Sequence, residues 1–503
     1  MKRELFLEEA RLGRRSEAII KYDEAPHLAV LPRRFRSFSV VDLAHVVMLV
    51  ETGILRRDRG AELLRGLLEI HDGGPERFPF NPRSGSYLVQ VEHVLEGRLG
   101  ADIAGRIQTG RSRNDQDAAA DRLFMRDLLL EVAADALSLA RAVVSLARTH
   151  AATVMPGYTH LQHAQPWTFG HYLMRQASIL DRDMERLRGA YGRTNLSVLG
   201  GAANAGTSWP LDRRRTAELL GHDGIVVNSS DGGLFARDFL EEDVAVLAIL
   251  MGNLGRFATD LYLWSSWEFG FVEVADGLAG TSSIMPQKKN PHALERVKAV
   301  AGQAAGWLAS MMGCQRGVCS TDLDFEFADN PLPQIGDATV GALRLMTEVV
   351  GTLTVHAEVM AAKAGAYWST ASHLADELVR RFDLPFRTAH HIVGRFVKDS
   401  IDSGRAPATA TAGPLGAAAR AYGAGSVVLS DREVREILDA RRFVDSRATE
   451  GSVNPVRVRA HADALEATLG RHAAWLEEAT SRVRAAIAEL ERCARALAGE
   501  GRG

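Results

Sequence analysis

The stretch 280-GTSSIMPQKKNP-291 gathers three consecutive hydroxyls, two lysines, two amides and two prolines into twelve residues. Gly, Pro, Ser and Asn are turn formers, and paired lysines often mark a solvated face, so a plain surface loop is one reading. A chemical reading also fits. Ser282 or Ser283 could act as a nucleophile or base once its hydroxyl is ionised beside Lys288 and backbone N–H groups. Lys288 and the amide of Asn290 would then hold an anion, while Lys289 reads as a solvated surface charge. A second segment, Ser112-Arg113-Asn114, has the composition of a carboxylate clamp: a planar guanidinium fork flanked by a hydroxyl and an amide. The plain alternative for Arg113 is a surface ion pair with Asp115.

These residues lie in Gly-rich breaks between long amphipathic runs. Leu, Ala and Val recur at three- and four-residue steps from 115 to 152, and similar patterns cover about 168–192, 237–266, 290–313 and 335–364. Runs of that length bury their apolar stripes only against one another, so the expected fold is all-α, a long central helical bundle with few short strands. The breaks at 104–115, 154–167, 199–212 and 277–291 separate the rods and carry the reactive side chains. From about residue 366 the helices shorten. The expected division is an N-terminal domain at 1–111, the bundle at 112–365 and a smaller, mostly helical domain at 366–503. Its last segment, Val458 to Leu497, reads as a solvated helix or pair of helices.

Composition narrows the function classes. Sixty basic and sixty-three acidic residues leave a formal charge of −3, which offers no field for nucleic acid or an anionic membrane surface. Three cysteines, Cys314, Cys319 and Cys493, form no ligand pattern or disulfide framework, and fit a reducing cytoplasm. The N-terminus shows no signal-peptide pattern, and no uninterrupted apolar run approaches a membrane span of roughly 18 residues. No phosphate-binding glycine motif and no metal-ligand spacing stand out, so neither cofactor nor metal is expected.

The segments 110-GRSRNDQ-116, 157-GYTHLQHAQP-166 and 282-SSIMPQKKNP-291 resemble, in order, the three signature regions of the fumarase/aspartase superfamily, and within it argininosuccinate lyase most closely. The similarity extends over roughly residues 40–470. It implies a homotetramer around a twenty-helix bundle, sites shared between subunits, and elimination of fumarate from an N-substituted succinate. Such a β-elimination needs a base for a carbon-bound proton and donors for the dianionic aci-carboxylate that forms. By motif position the resemblance makes Ser282 the base and His160 the second catalytic residue, with Glu295 as the carboxylate that raises its basicity. Thr159, Gln165, Ser112, Asn114, Lys288 and Asn290 would bind the succinyl part. His163 and His171 have no counterparts in the motifs and read as structural.

The chain departs from that family where the amine half of the substrate is bound. A Glu-Asp-x-His element of the family falls on Val89-Gln90-Val91-Glu92, and the Tyr, Gln and Lys that reach arginine fall on Asp322, Phe327 and Asn330. His292 replaces an Asp. The acids Asp322, Asp324, Glu326 and Asp329 would suit a cationic amine rather than the α-carboxylate of arginine. The expectation is therefore a C–N lyase acting on an N-substituted aspartate. A conventional argininosuccinate lyase, and a catalytically silent crystallin-like homologue, are the alternatives.

Overall fold

The computed structural model describes residues 15–232, 237–314, 324 and 328–500, and its architecture is all-α. Helices α1 (Ala25–Glu51), α2 (Arg57–Arg77) and α3 (Tyr87–Leu99) precede α4 (Arg113–Thr149), a rod of 37 residues. A hairpin of β1 (Val154–Thr159) and β2 (Gln162–Thr168) leads into α5 (Phe169–Thr194) and, later, α6 (Asp238–Trp264). Then come β3 (Val272–Glu273), β4 (Gly280–Thr281), β5 (Lys289–Asn290), α7 (His292–Cys314), α8 (Leu332–Thr352) and β6 (Thr354–Val355). The chain closes with α9 (Ala357–Ala366), α10 (Ala371–Phe382), α11 (Phe386–Asp402), α12 (Ala412–Ala421), two shorter helices and α13 (Pro455–Ala498).

Helices α4 to α8 form a ring in which each packs on the next and α8 returns to α4. Their apolar stripes make one core, with Leu129, Ala136, Leu173, Leu247, Leu254, Val297 and Leu343 at its centre. By composition alone α6 is long and apolar enough to cross a membrane, but its Phe239, Leu247, Leu254 and Leu261 lie in this core. Burial on several sides of a bundle accounts for that hydropathy. A second core joins α1, α2 and α3 to the first turns of α4, and a third holds residues 368–438.

Two expectations need correction. The apolar run 335–364 is not one helix: it stops at Thr352, and Thr354–Val355 pair antiparallel with Val272–Glu273 before α9 begins. The β-branched pair finds a strand partner there, and His356 N–H donates to the Phe271 carbonyl. The final segment is solvated on one face only and is not split. It is a single 44-residue helix whose Val458, Ala462, Leu465 and Leu469 enter the bundle core and whose Leu490, Ala494 and Ala498 enter the second core. Its buried stripe is narrow and alanine-rich, so long charged side chains dominate its composition while small ones make the contact.

Direction around the ring fixes where each signature segment stands. Arg122, early in α4, donates to the carbonyls of Arg193 and Thr194 at the end of α5 and lies 4.1 Å from the Phe239 ring at the start of α6. Phe169 and Tyr172, which begin α5, meet Trp264 at the end of α6. So α5 runs antiparallel to α4, and α6 antiparallel to α5. Ser112 caps one end of the ring; the β1–β2 hairpin and the 280–291 segment occupy the other.

Candidate active site

Ser112 is the N-cap of α4 and forms a capping box with Asp115. Its hydroxyl donates to Asp115 Oδ1 at 2.8 Å, and its N–H reaches the same oxygen at 3.3 Å. Arg113 and Asn114 follow as the first residues of the helix, where the dipole and open N–H groups favour an anion. The surface pairing of Arg113 with Asp115 does not form. Asp115 is completely buried and faces inward, and the Arg113 guanidinium instead stands 3.8 Å from Asp117.

Beneath this turn lies a group of buried charges. Arg111 Nη1 contacts Asp42 Oδ1 at 2.7 Å, Gln116 Nε2 donates to the same oxygen at 2.6 Å, and His45 Nε2 lies 3.0 Å from the Thr109 carbonyl. Burial holds the Asp42 carboxyl above its ordinary range even against Arg111, and pushes His45 well below the usual imidazole range. Glu92, at the family's histidine position, is raised by burial too, within the fields of Arg111 and Asp42. Asp42 and His45 sit three residues apart inside the apolar run 40-VVDLAHVV-47. Charged residues at helical spacing in such a run were the sequence signal for this buttress, and it was missed.

At the opposite end, His160 and Leu161 form the two-residue tip of the hairpin, with Thr159 paired to Gln162 and Tyr158 to His163. Both tip residues have positive φ, 54° and 58°. Such turns usually take Asn-Gly, because a Cβ strains left-handed backbone by roughly 1–2 kcal/mol. An imidazole and an isobutyl group are held there against that preference. The hairpin base rests on aromatic rings, Tyr158 against Phe269 and Phe271, and burial raises the Tyr158 hydroxyl to about 12. Among the described residues the His160 ring makes no hydrogen bond or ion pair. Gln165 Nε2 donates to Ser372 Oγ at 2.9 Å, tying the hairpin to the small domain.

The 280–291 segment is a second hairpin. Gly280 pairs with Asn290 and Thr281 with Lys289, and Lys289 Nζ is fixed by Glu273 Oε1 at 2.7 Å and Asp276 Oδ1 at 2.6 Å. Residues 282–288 are what remains outside the ladder. Ser282 Oγ accepts from the N–H groups of Ile284 (3.3 Å) and Met285 (3.1 Å), two dipoles that favour negative charge on that oxygen. Ser283 and Lys288 are exposed, and Lys288 Nζ has no partner among the described residues. His292 opens α7 and packs over Gly280, where a Cβ would stand 2.5 Å from its Nδ1. Glu295, in the first turn of α7, lies 3.9 Å from His292 Nε2; within one chain its ion-pair partner among the described residues is His292 rather than His160.

The structure thus places Ser282, Ser283, Lys288, Asn290, Glu295, Thr159, His160 and Gln165 at one end of the ring and Ser112, Arg113 and Asn114 at the other. Thirty-seven helical residues at 1.5 Å each separate the two groups by roughly 55 Å. Asp322 and Phe327 fall outside the described residues. Asp329 is not available to a ligand amine, because it is buried 3.2 Å from Arg34 Nη1, and Asn330 Oδ1 is 3.1 Å from His27 Nδ1. Among the described residues no three His, Cys, Asp or Glu side chains gather to hold a metal.

The Lyase family profile matches residues 43–306, and the argininosuccinate lyase C-terminal profile residues 368–445. The argininosuccinate lyase of Methanosarcina mazei is 42% identical over 366 residues, 73% of this chain and 74% of the relative. That of Methanoculleus marisnigri is 39% identical over 460 residues, covering 90% and 92%. Among solved structures, EDDS lyase in complex with formate superposes with a TM-score of 0.83 at 35% identity, over 97% of each chain. A class II fumarase from Schistosoma mansoni shares the fold, with a TM-score of 0.70 at 15% identity over 83% of this chain and 94% of that one.

Proposed function

The chain belongs to the argininosuccinate lyase-like branch of the fumarase/aspartase superfamily and is a carbon–nitrogen lyase that eliminates fumarate from an N-substituted aspartate; from that premise we propose that its leaving amine is not arginine and that its sites are shared between subunits of a homotetramer. Ser282 takes the proton from the carbon next to the succinyl carboxylate. Lys288 and Asn290 stabilise the aci-carboxylate as charge develops, and the electron pair then expels the amine. The observation that carries this reading is the pair of backbone N–H groups, from Ile284 and Met285, on Ser282 Oγ. They supply part of the stabilisation a serine alkoxide needs. Ser283 adds a neutral donor beside it.

Shared sites follow from the roughly 55 Å between the clamp and the two hairpins, since one substrate cannot bridge the length of α4. The Ser112–Arg113–Asn114 clamp of one chain serves the Ser282 loop of another. The pairing of His160 with Glu295 is likewise formed between chains, where Thr159 and Gln165 bind the second carboxylate of the succinyl group. Closing the 282–288 loop brings base and cation to the substrate together and excludes water. The division at 1–111, 112–365 and 366–503 belongs to this proposal, with α13 returning to the bundle, as does a cytoplasmic location.

The leaving group is read from the positions that reach arginine in the resemblance. Asn330, at the lysine position, offers no cation and is engaged by His27, while Asp322 stands at the tyrosine position. Arginine's α-carboxylate would enter the closed site unpaired. A cost of about 4 kcal/mol corresponds to about a thousandfold in kcat/KM. Fumarate absorbance, followed with argininosuccinate beside a panel of N-substituted aspartates, should show argininosuccinate at least about a thousandfold poorer than the best substrate. Turnover of argininosuccinate at ordinary enzymatic efficiency would restore a conventional argininosuccinate lyase, the activity for which both relatives above are named.

A further inference from the structure

The Asp115 carboxylate holds more than the cap of α4. Oδ2 accepts from the N–H of Ala202 at 2.8 Å and Oδ1 from that of Ala203 at 3.1 Å, while Oδ1 also receives the hydroxyl and N–H of Ser112. Ala202 and Ala203 are consecutive residues in left-handed backbone, with φ of 46° and 71°. Alanine gains nothing from that conformation, so the fixed anion beneath it is what holds the turn. The loop is braced from behind by Arg213, which donates to the carbonyls of Leu199, Val226 and Val227 and whose side chain fills the space beside Gly200. Burial lowers the Arg213 guanidinium below its ordinary range, and the Asp115 charge across the loop opposes that shift.

We propose that Asp115 is a positioning residue that fixes two site segments at once, the Ser112–Asn114 clamp and the strained 200–204 loop, and that this loop is a further wall of the fumarate-carboxylate subsite. The inference rests on the clamp function assigned above to Ser112–Asn114. One buried carboxylate sets the register between the first turn of α4 and the loop. Loss of its charge lets the loop leave left-handed backbone and moves the clamp relative to the rest of the subsite.

The test is fumarate affinity, measured by titration calorimetry on the assembled protein. Asp115→Asn should weaken fumarate binding at least about tenfold, a change of about 1.4 kcal/mol. Adding Ala202→Gly and Ala203→Gly to that chain should recover most of the loss, because glycine adopts the loop's backbone without the carboxylate. A purely structural role would lower the fraction of folded protein and leave the affinity of that fraction, and the glycine rescue, unmoved. If Asp115→Asn does not assemble, Ala203→Val replaces it, since a β-branched side chain disfavours left-handed backbone while leaving the cap of α4 intact. It should weaken fumarate about tenfold as well. Unchanged affinity in either variant overturns the inference. Ser112→Ala separates the two levels: if it too binds fumarate normally, the clamp assignment fails, and if it alone weakens binding, only the role of Asp115 and the loop fails.

Discussion

At the Ser112 end of the ring, Asp42, Arg111, Asp115 and Gln116 are all buried and hydrogen-bonded before any ligand arrives. At the far end Leu161 is 66% exposed, Ile284 83% exposed, and the residues argued to do the chemistry project from two hairpins. The contrast matches the work each end is given. A clamp for a carboxylate gains from preorganisation, because donors fixed in place cost nothing to orient when the anion binds. A base and its cation gain from arriving with the substrate, since a serine alkoxide left in water is protonated at once. Rigid charge networks therefore collect where binding is uniform, and exposed hairpin segments where the reaction is triggered.

The largest effect should come from the exposed end, and should fall on rate alone. Ser282→Ala removes the base and should abolish nearly all turnover while changing unfolding free energy by no more than about 0.5 kcal/mol, as for a half-buried loop serine. Lys288→Met should cost about 3–4 kcal/mol of transition-state stabilisation, read as a fall in kcat of some hundredfold to thousandfold. Steady-state kinetics beside a denaturant melt checks both. Wild-type kcat in the serine variant would remove Ser282 from the chemistry, and a loss confined to KM in the lysine variant would make Lys288 a binding residue.

The opposite signature is expected at the buried end. Asp42→Ala leaves the Arg111 guanidinium buried without its carboxylate, and breaking such a pair costs about 3–5 kcal/mol. Unfolding by urea should report that loss. Activity per folded protein should fall only as far as the clamp is disturbed. A variant as stable as the parent would mean that Arg111 finds water or another acceptor, and the buttress would lose its place in the comparison.

The same contrast explains what could be read from sequence. The rods were legible to within a few residues, 115–152 against the observed 113–149 and 237–266 against 238–264, because a 3.6-residue period survives any change of neighbour. The break at 353–356 was not, since its strand partner at 272–273 lies about eighty residues earlier and leaves no local trace. Motif spacing named the side chains at both ends, but not their arrangement. The plain alternative, a surface pair of Arg113 with Asp115, fails because Asp115 is buried against the N–H groups of Ala202 and Ala203, far along the chain. The length of α4 was legible, and with it the distance between Ser112 and His160; that product of residue count and helical rise is what the proposal of shared sites rests on.

The smallest expected effect tests whether the hairpin tip is strained for function. Leu161 holds φ of 58° with most of its side chain in solvent, so Leu161→Gly sacrifices little burial and relieves left-handed strain. Part of that gain is offset by the greater freedom of glycine in the unfolded chain. The net should be a stabilisation of up to about 1 kcal/mol, seen as a Tm rise of a few degrees at most for a chain of this size. Because the tip then no longer fixes the direction of the His160 ring, kcat should drop several-fold while the melting temperature rises. That pairing of outcomes is the signature of strain retained for positioning. A fall in Tm would show that the Leu161 side chain is packed in the assembled protein, and the two ends of the ring would then differ less than a single chain suggests.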